Sequence, residues 1–397
     1  MRHFSYLDEE KLDEVFYKVP EEIGLDSDKE LVARSLGATL YMPGLRTDIH
    51  EMLLKGKIKG LASMVICLED AVSDNKFEEA EAVLKRQLTL INKDVRKNKI
   101  AKDQLPFLFI RVRNDDHFFK LEQQNIELFE NIAGFVFPKF SQRNAVLYMR
   151  TLEAFSCKLK AHCGRGFYGM PILESAEMIN IETRRDALNE LVGILEPFKD
   201  TILNIRIGAT DFSGLFGLRR SPDNTVYDLL IIRDCISDII NCFCRSDRDY
   251  VVSGPVWEYF WHDERMLKPK LRQTPFIKTY GESGSAKRIN MLNKYIDGLL
   301  YEAILDNVNG LIGKTVIHPS HIIPVHSIMP VAYEDYLDAL SIIESATVDN
   351  GVFKSTYGNK MNEVKPHLFW AKKTVLKGRV FGVFNENVEY TSLLNGL

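Results

Sequence analysis

The sequence has little of what marks specialised protein classes. Its six cysteines include no Cys-x-x-Cys pair, which excludes a zinc-ligand signature of that kind and gives no disulfide framework. No apolar run is both long and uncharged. The best candidate, residues 229–244, is interrupted by Arg233, Asp234 and Asp238 and reads as an amphipathic helix. The opening stretch, MRHFSYLDEEKLDEVF, is charged throughout and has no apolar segment ahead of a small-residue cleavage site, unlike a secretory signal. Charge of one sign is also missing. With 51 basic and 55 acidic side chains the net charge is −4, which offers no overall attraction to nucleic acid or anionic lipid. These absences predict a cytoplasmic protein with no nucleic-acid or membrane partner. What remains is a globular composition, 45% hydrophobic and 27% charged, in 397 residues. That length suits two or three ordinary domains, or one closed α/β barrel with extensions.

Periodicity favours the barrel. Short apolar runs at 38–42, 64–68, 107–112, 134–137, 167–173, 202–208, 250–253 and 311–317 read as strands. Helix-period segments lie between them. One begins at Ser73 and continues through Phe77, Ala80, Leu84, Leu88 and Ile91; another carries Leu188, Leu191 and Leu195, and a long one Ile289, Leu292, Ile296, Leu299 and Ile304. Repeated strand–helix alternation implies parallel strands joined by helical crossovers, and eight such strands predict a (β/α)8 TIM barrel. The predicted barrel domain covers 1–330, with an N-terminal extension and an aromatic, Lys/Pro-rich excursion at 257–284. Its aromatics, Trp257, Tyr259, Phe260 and Trp261, are expected to pack or form subunit contacts. Residues 331–397 are expected to form a C-terminal helical lid or oligomerisation arm.

In a parallel barrel, the loops converge where the strands end. Reading each run to its end gives Pro43-Gly44, Glu69-Asp70, Arg111 and Arg113, Pro138-Lys139, Glu174, Asp211, and His318-Pro319. Several acids, two arginines and a lysine suit a hard divalent cation together with a carboxylate-bearing substrate. Glu174 and Asp211 follow neighbouring strands, and two such carboxylates can hold Mg²⁺ while leaving positions for water and substrate oxygens. Alternatively each caps the helix that follows, with Ser175 and Ser213 nearby. Arg111 and Arg113, two apart on a strand, would share a face and grip a carboxylate with paired hydrogen bonds; the alternative is an ion pair with Asp115 or Asp116. His318, His321 and His326 do not make a metal-binding helix, because Pro319 and Pro324 interrupt it. The GESGSAK stretch lacks the spacing of a phosphate loop.

Taken in order, these strand ends resemble the citrate lyase β-subunit and HpcH/HpaI aldolase family of Mg²⁺-dependent carbon–carbon lyases. The matching segments are RSLGATLYMPG (34–44), CLEDAV (67–72), FIRVRN (109–114), GFVFPKF (134–140), ILESAEMI (172–179), IRIGATDFSGLFG (205–217) and GLIGKTVIHPSHIIPVHSIMP (310–330), with a weaker match at 359–375. Among relatives the chain looks most like the divergent branch found in tellurite- and stress-resistance gene clusters. The resemblance implies Mg²⁺ on Glu174 and Asp211, a substrate carboxylate on Arg111 with Arg113 and Lys139 nearby, and Glu69 and Asp70 lining the same mouth. It also implies a homo-oligomer, a trimer or hexamer. Two departures matter: Arg113 stands where the family usually has Asn, and the excursion and tail exceed the family plan. Both put the usual coenzyme A or acyl-carrier thioester in question.

The function expected is cleavage or condensation of a carbon–carbon bond in a small carboxylic or 2-oxo acid, with Arg111, Glu69 and Asp70 as the catalytic group. Asp70, Glu69 or a metal-bound hydroxide would accept the proton. The competing readings are a 2-oxo-acid aldolase that uses no thioester, and a non-catalytic barrel in a stress-response assembly.

Overall fold

A computed structural model describes residues 1–260, 283–347, 352–354 and 360–394. The apolar runs form one curled parallel sheet. Its strands in chain order are Ala38–Pro43, Ser63–Cys67, Phe107–Arg111, Ile132–Phe137, Tyr168–Leu173, Arg206–Ile207 and Lys314–Val316, and the last lies beside the first. Residues 251–254 close the ring. They bridge Ile205 through Val252 and Lys314 through Gly254, with the Ile205 amide on the Val251 carbonyl at 2.8 Å and the Thr315 amide on the Gly254 carbonyl at 3.1 Å. The eight expected strand positions are therefore all occupied, three of them more briefly than expected. Continuous burial along strands such as Phe107–Arg111 follows from the two-sided cover of a parallel sheet, the crossover helices outside and packed side chains within.

Those helices follow the apolar period. Phe77–Arg96 buries Ala80, Leu84, Leu88, Ile91 and Val95 against the sheet, and Arg184–Leu195 buries Ala187, Leu188, Leu191, Val192 and Leu195. The amphipathic stretch at 229–244 is the helix Leu230–Phe243, which buries Ile232, Cys235, Ile236, Ile239 and Phe243. Among the described residues no helix is long and apolar enough to cross a membrane. The long helix Ser283–Val308 precedes the last barrel strand.

Of the excursion, residues 261–282, Trp261 among them, lie outside the described residues. Trp257 is fully buried with the Arg220 guanidinium 4.9 Å from its ring, the Tyr259 hydroxyl donates to the Arg220 carbonyl, and Phe260 stacks on His318 at 4.8 Å.

The tail carries helices Tyr333–Thr347 and Val364–Phe381, packed on each other. It returns to the opposite end of the chain: strand Phe16–Lys18 pairs antiparallel with Val383–Phe384, and Arg379 holds Glu21 at 3.0 Å. Phe4, Leu12, Val15, Phe16, Phe384 and Leu393 form a small core of their own there.

Candidate active site at the barrel mouth

The second and third strands deliver the first half of the site. Just beyond Cys67 the chain turns at Glu69, whose carbonyl accepts from the Val72 amide at 2.8 Å, and the Asp70 amide donates back to Glu69 Oε2 at 2.8 Å. The next strand ends on Arg111, whose guanidinium reaches three carboxylates: Glu69 at 2.8 Å, Asp70 at 3.0 Å and Glu174 at 3.0 Å. The fork geometry of arginine permits this, and a single ammonium could not replicate it.

Lys139 follows the fourth strand with φ +48°, a conformation rare for a residue with a side chain. Its backbone amide donates to Glu174 Oε1 at 2.7 Å while its ammonium reaches Glu69 at 2.9 Å, so the unusual backbone serves two carboxylates at once. Glu174 leaves the fifth strand with its side chain only 2% exposed. Asp211, in the first turn of helix Ala209–Leu215, is half-buried and makes no ion pair among the described residues. Gly208 makes this approach possible. A Cβ there would lie 2.4 Å from Glu174 Cβ and 2.5 Å from Oε2.

Asp70, Arg111, Glu174 and Asp211 line one cavity of about 590 Å³, together with Tyr41, Arg206, Gly208, Thr315 and Val256. A narrower depression beside it, lined by Thr210, Arg220 and Glu258, lacks this acid–arginine cluster. Burial, with Asp211 nearby, pushes the Glu174 carboxyl up to about 7 against the opposing pull of Arg111. Asp211 is also raised, by burial and then by Asp70. Burial raises Glu69 too, whereas in Asp70 the hydrogen bond with Glu69 and the charge of Arg111 outweigh burial and hold the carboxyl low. On Arg111 burial opposes the charge, but the surrounding carboxylates hold it firmly cationic.

This donor set fits a divalent cation. Glu174 Oε2 has no hydrogen-bond partner among the described residues, and the Asp211 carboxylate faces the same cavity. No three His, Cys, Asp or Glu side chains converge as a metal cage among the described residues. Two carboxylates with the remaining positions left to water and substrate is the pattern Mg²⁺ favours.

The family described as C–C bond lyase of the TIM-barrel fold matches residues 30–383. The chain belongs to that family. Two solved structures share its fold. One is a citrate lyase from Burkholderia xenovorans, with TM-score 0.57 and 11% identity over 91% of this chain and 96% of that one. The other is CitE from Mycobacterium tuberculosis in complex with magnesium, acetoacetate and coenzyme A, with TM-score 0.50 and 15% identity over 87% of this chain and 98% of that one. Among curated proteins none matches the sequence.

Within this lyase fold the sequence-predicted residues separate into two groups. Glu69, Asp70, Arg111, Lys139 and Glu174 form one hydrogen-bonded cluster, and Asp211 shares the cavity. Neither metal candidate caps a helix; Ser175 and Gly208 occupy those positions without a side-chain bond. Arg113 is a correction. The strand ends at Arg111, so alternation no longer holds two residues later, and Arg113 turns away to pair with Asp74 and lie 5.0 Å over the Phe77 ring. It does not line the cavity, and its partner is neither Asp115 nor Asp116. His321 and His326 are buried packing residues, His326 Nε2 accepting from the Ala38 amide at 2.9 Å. Among the described residues none of the tail lines this cavity, whose lining residues run from Tyr41 to Ile317.

Arg206 was not anticipated. It is 1% exposed, reaches Thr315 Oγ1 at 3.1 Å, lies 5.5 Å from the Tyr41 ring, and makes no ion pair among the described residues. Its signal in the sequence is a lone cation inside the largely apolar run 202–208.

Proposed function

We propose that this lyase-family chain cleaves or joins a carbon–carbon bond in a small carboxylic acid, with Mg²⁺ held by Glu174 and Asp211. The observation that carries the reading is the burial of Arg111 among Glu69, Asp70 and Glu174 at the mouth of the cavity that Asp211 also lines. When bound, the cation would polarise substrate oxygens and stabilise the enolate charge that develops on bond cleavage. Arg111 orients the substrate carboxylate and adds positive charge beside the same oxygens. Glu69 serves Arg111, since its oxygens are taken up by the Asp70 amide, Arg111 and Lys139. Asp70 is the better proton acceptor: it lines the cavity, its side chain is 53% exposed, and its carboxyl is held ionised. Lys139 supports Glu69 and Glu174 and keeps the cluster fixed.

The double variant Glu174→Gln/Asp211→Asn should lose both Mg²⁺ binding in calorimetry and turnover. Full activity in that variant would refute the scheme. Assays with acetyl-CoA plus glyoxylate, against pyruvate plus aldehydes, separate thioester chemistry from a free 2-oxo-acid aldolase. Absence of metal-dependent acid binding would favour a non-catalytic barrel.

A further inference from the structure

The cavity holds two arginines in opposite circumstances. Arg111 is surrounded by three carboxylates. Arg206 is buried more deeply, yet among the described residues its contacts are neutral: the Thr315 hydroxyl at 3.1 Å, the Tyr41 ring at 5.5 Å and the Met170 sulfur at 3.8 Å. Its Nε has no hydrogen-bond partner among the described residues. A buried guanidinium without an anion is strongly unfavourable, and proteins normally pair such a charge or neutralise it; arginine cannot be neutralised.

The register explains how the group comes to face inward. Arg206 pairs with Ile172 on the neighbouring strand, and both line the cavity. On the last barrel strand Lys314 points outward to Glu302 and Asp306, so the next residue, Thr315, points in and meets Arg206 over the intervening 251–254 segment. The result is a cation and a hydroxyl facing the same space that Arg111, Glu174 and Asp211 enclose. The charge of Arg111 is already shared among three carboxylates, whereas Arg206 has no anionic partner among the described residues.

We infer that Arg206, with Thr315 and Tyr41, receives a second anionic group of the substrate, deeper in the barrel than the Arg111 cluster. This rests on the proposed lyase reading and narrows it: the substrate is a small acid that is anionic at both ends. One end meets Arg111 and the metal carboxylates, and the other completes the charge of Arg206. A carboxylate or a phosphoryl-type group would each match the guanidinium fork.

The test is calorimetric titration of the full chain in Mg²⁺ with oxaloacetate and with pyruvate, which differ by one distal carboxylate, and with phosphonopyruvate, which carries a distal phosphonate. The protein should bind one of the two dianionic acids at least about 30-fold more tightly than pyruvate, and the tighter of the two identifies the anion. In Arg206→Met that acid should fall to the level of pyruvate, Arg206→Lys should keep part of the preference, and Thr315→Val should lose a smaller part. The wild-type comparison stands without any variant. Equal wild-type affinity for all three acids overturns the inference and leaves the lyase reading intact, as does an Arg206→Met variant that weakens pyruvate and the dianionic acid alike. Failure of every acid to bind wild type in Mg²⁺ overturns the lyase reading, and the inference with it.

Discussion

Replacing Lys314 by Met should destabilise the barrel strongly, and it should do so in a pH-dependent way. The Lys314 ammonium is fully buried between Glu302 Oε1 at 2.9 Å and Asp306 Oδ2 at 2.6 Å. Glu302 also accepts from Arg220 and from the Val226 amide, and Asp306 accepts from the Tyr227 hydroxyl at 2.5 Å. Methionine matches the lysine stem but removes the charge. Among the described residues the two buried carboxylates are then left with one cation, Arg220 on Glu302, and Asp306 keeps only a neutral donor. Breaking a buried ion pair from one side costs about 3–5 kcal/mol, because the orphaned charge stays in a poorly solvating environment. Asp306 already titrates above its ordinary value through burial, against the pull of Lys314, and without Lys314 it rises further. A carboxyl whose folded pKa is raised binds more protons in the folded than in the unfolded state. Its penalty is therefore absent below the unfolded pKa, grows as pH rises, and is complete above the folded pKa. Urea unfolding of wild type and Lys314→Met at pH 5 and pH 8 should show the larger deficit at pH 8. Adding Glu302→Gln and Asp306→Asn to Lys314→Met should recover part of the loss, since the three residues form one unit. A deficit below about 1 kcal/mol, or a triple variant in which the losses simply add, would refute the reasoning.

Two other predictions concern the site itself. Gly208→Ala places a methyl 2.4 Å from Glu174 Cβ, so the carboxylate must move; Mg²⁺ affinity should fall sharply, with a stability loss of about 1–3 kcal/mol from overpacking, measured by calorimetry and urea unfolding. Mg²⁺ binding to wild type should weaken as pH falls through about 7, where Glu174 begins to hold a proton, and should release protons at pH 6; titration in buffers of different ionisation enthalpy reads this directly, and a pH-independent affinity between 6 and 8 would count against Glu174 as a ligand.

The strands are legible where apolar runs are bounded by polar loops, and the gathering of Glu69, Asp70, Arg111, Lys139, Glu174 and Asp211 at one mouth is legible because a barrel brings its strand ends together. The misplaced residue, Arg113, shows the limit of alternation: it applies while the chain is paired and fails once the strand stops at Arg111. Arg206 was overlooked for the opposite reason, since it lies within the strand, where an apolar pattern conceals one inward cation. The seventh strand position rests on single bridges at Val252 and Gly254. The pairing of Phe16–Lys18 with Val383–Phe384 depends on contacts that no local window contains. The Lys314–Glu302–Asp306 cluster is nearer in sequence, but it forms only when the helix Ser283–Val308 packs against the strand that follows it.

That antiparallel pair has a consequence for how the chain reaches its folded state. Each βα unit can assemble from neighbouring residues as synthesis proceeds, but Phe4, Leu12, Val15 and Phe16 find Phe384 and Leu393 only after the barrel between them is made. Until then this apolar group lacks those partners. A segment that precedes the barrel in sequence is thus sealed only after it, and the seam between residues 16–18 and 383–384 is where a nascent chain most needs protection from its neighbours.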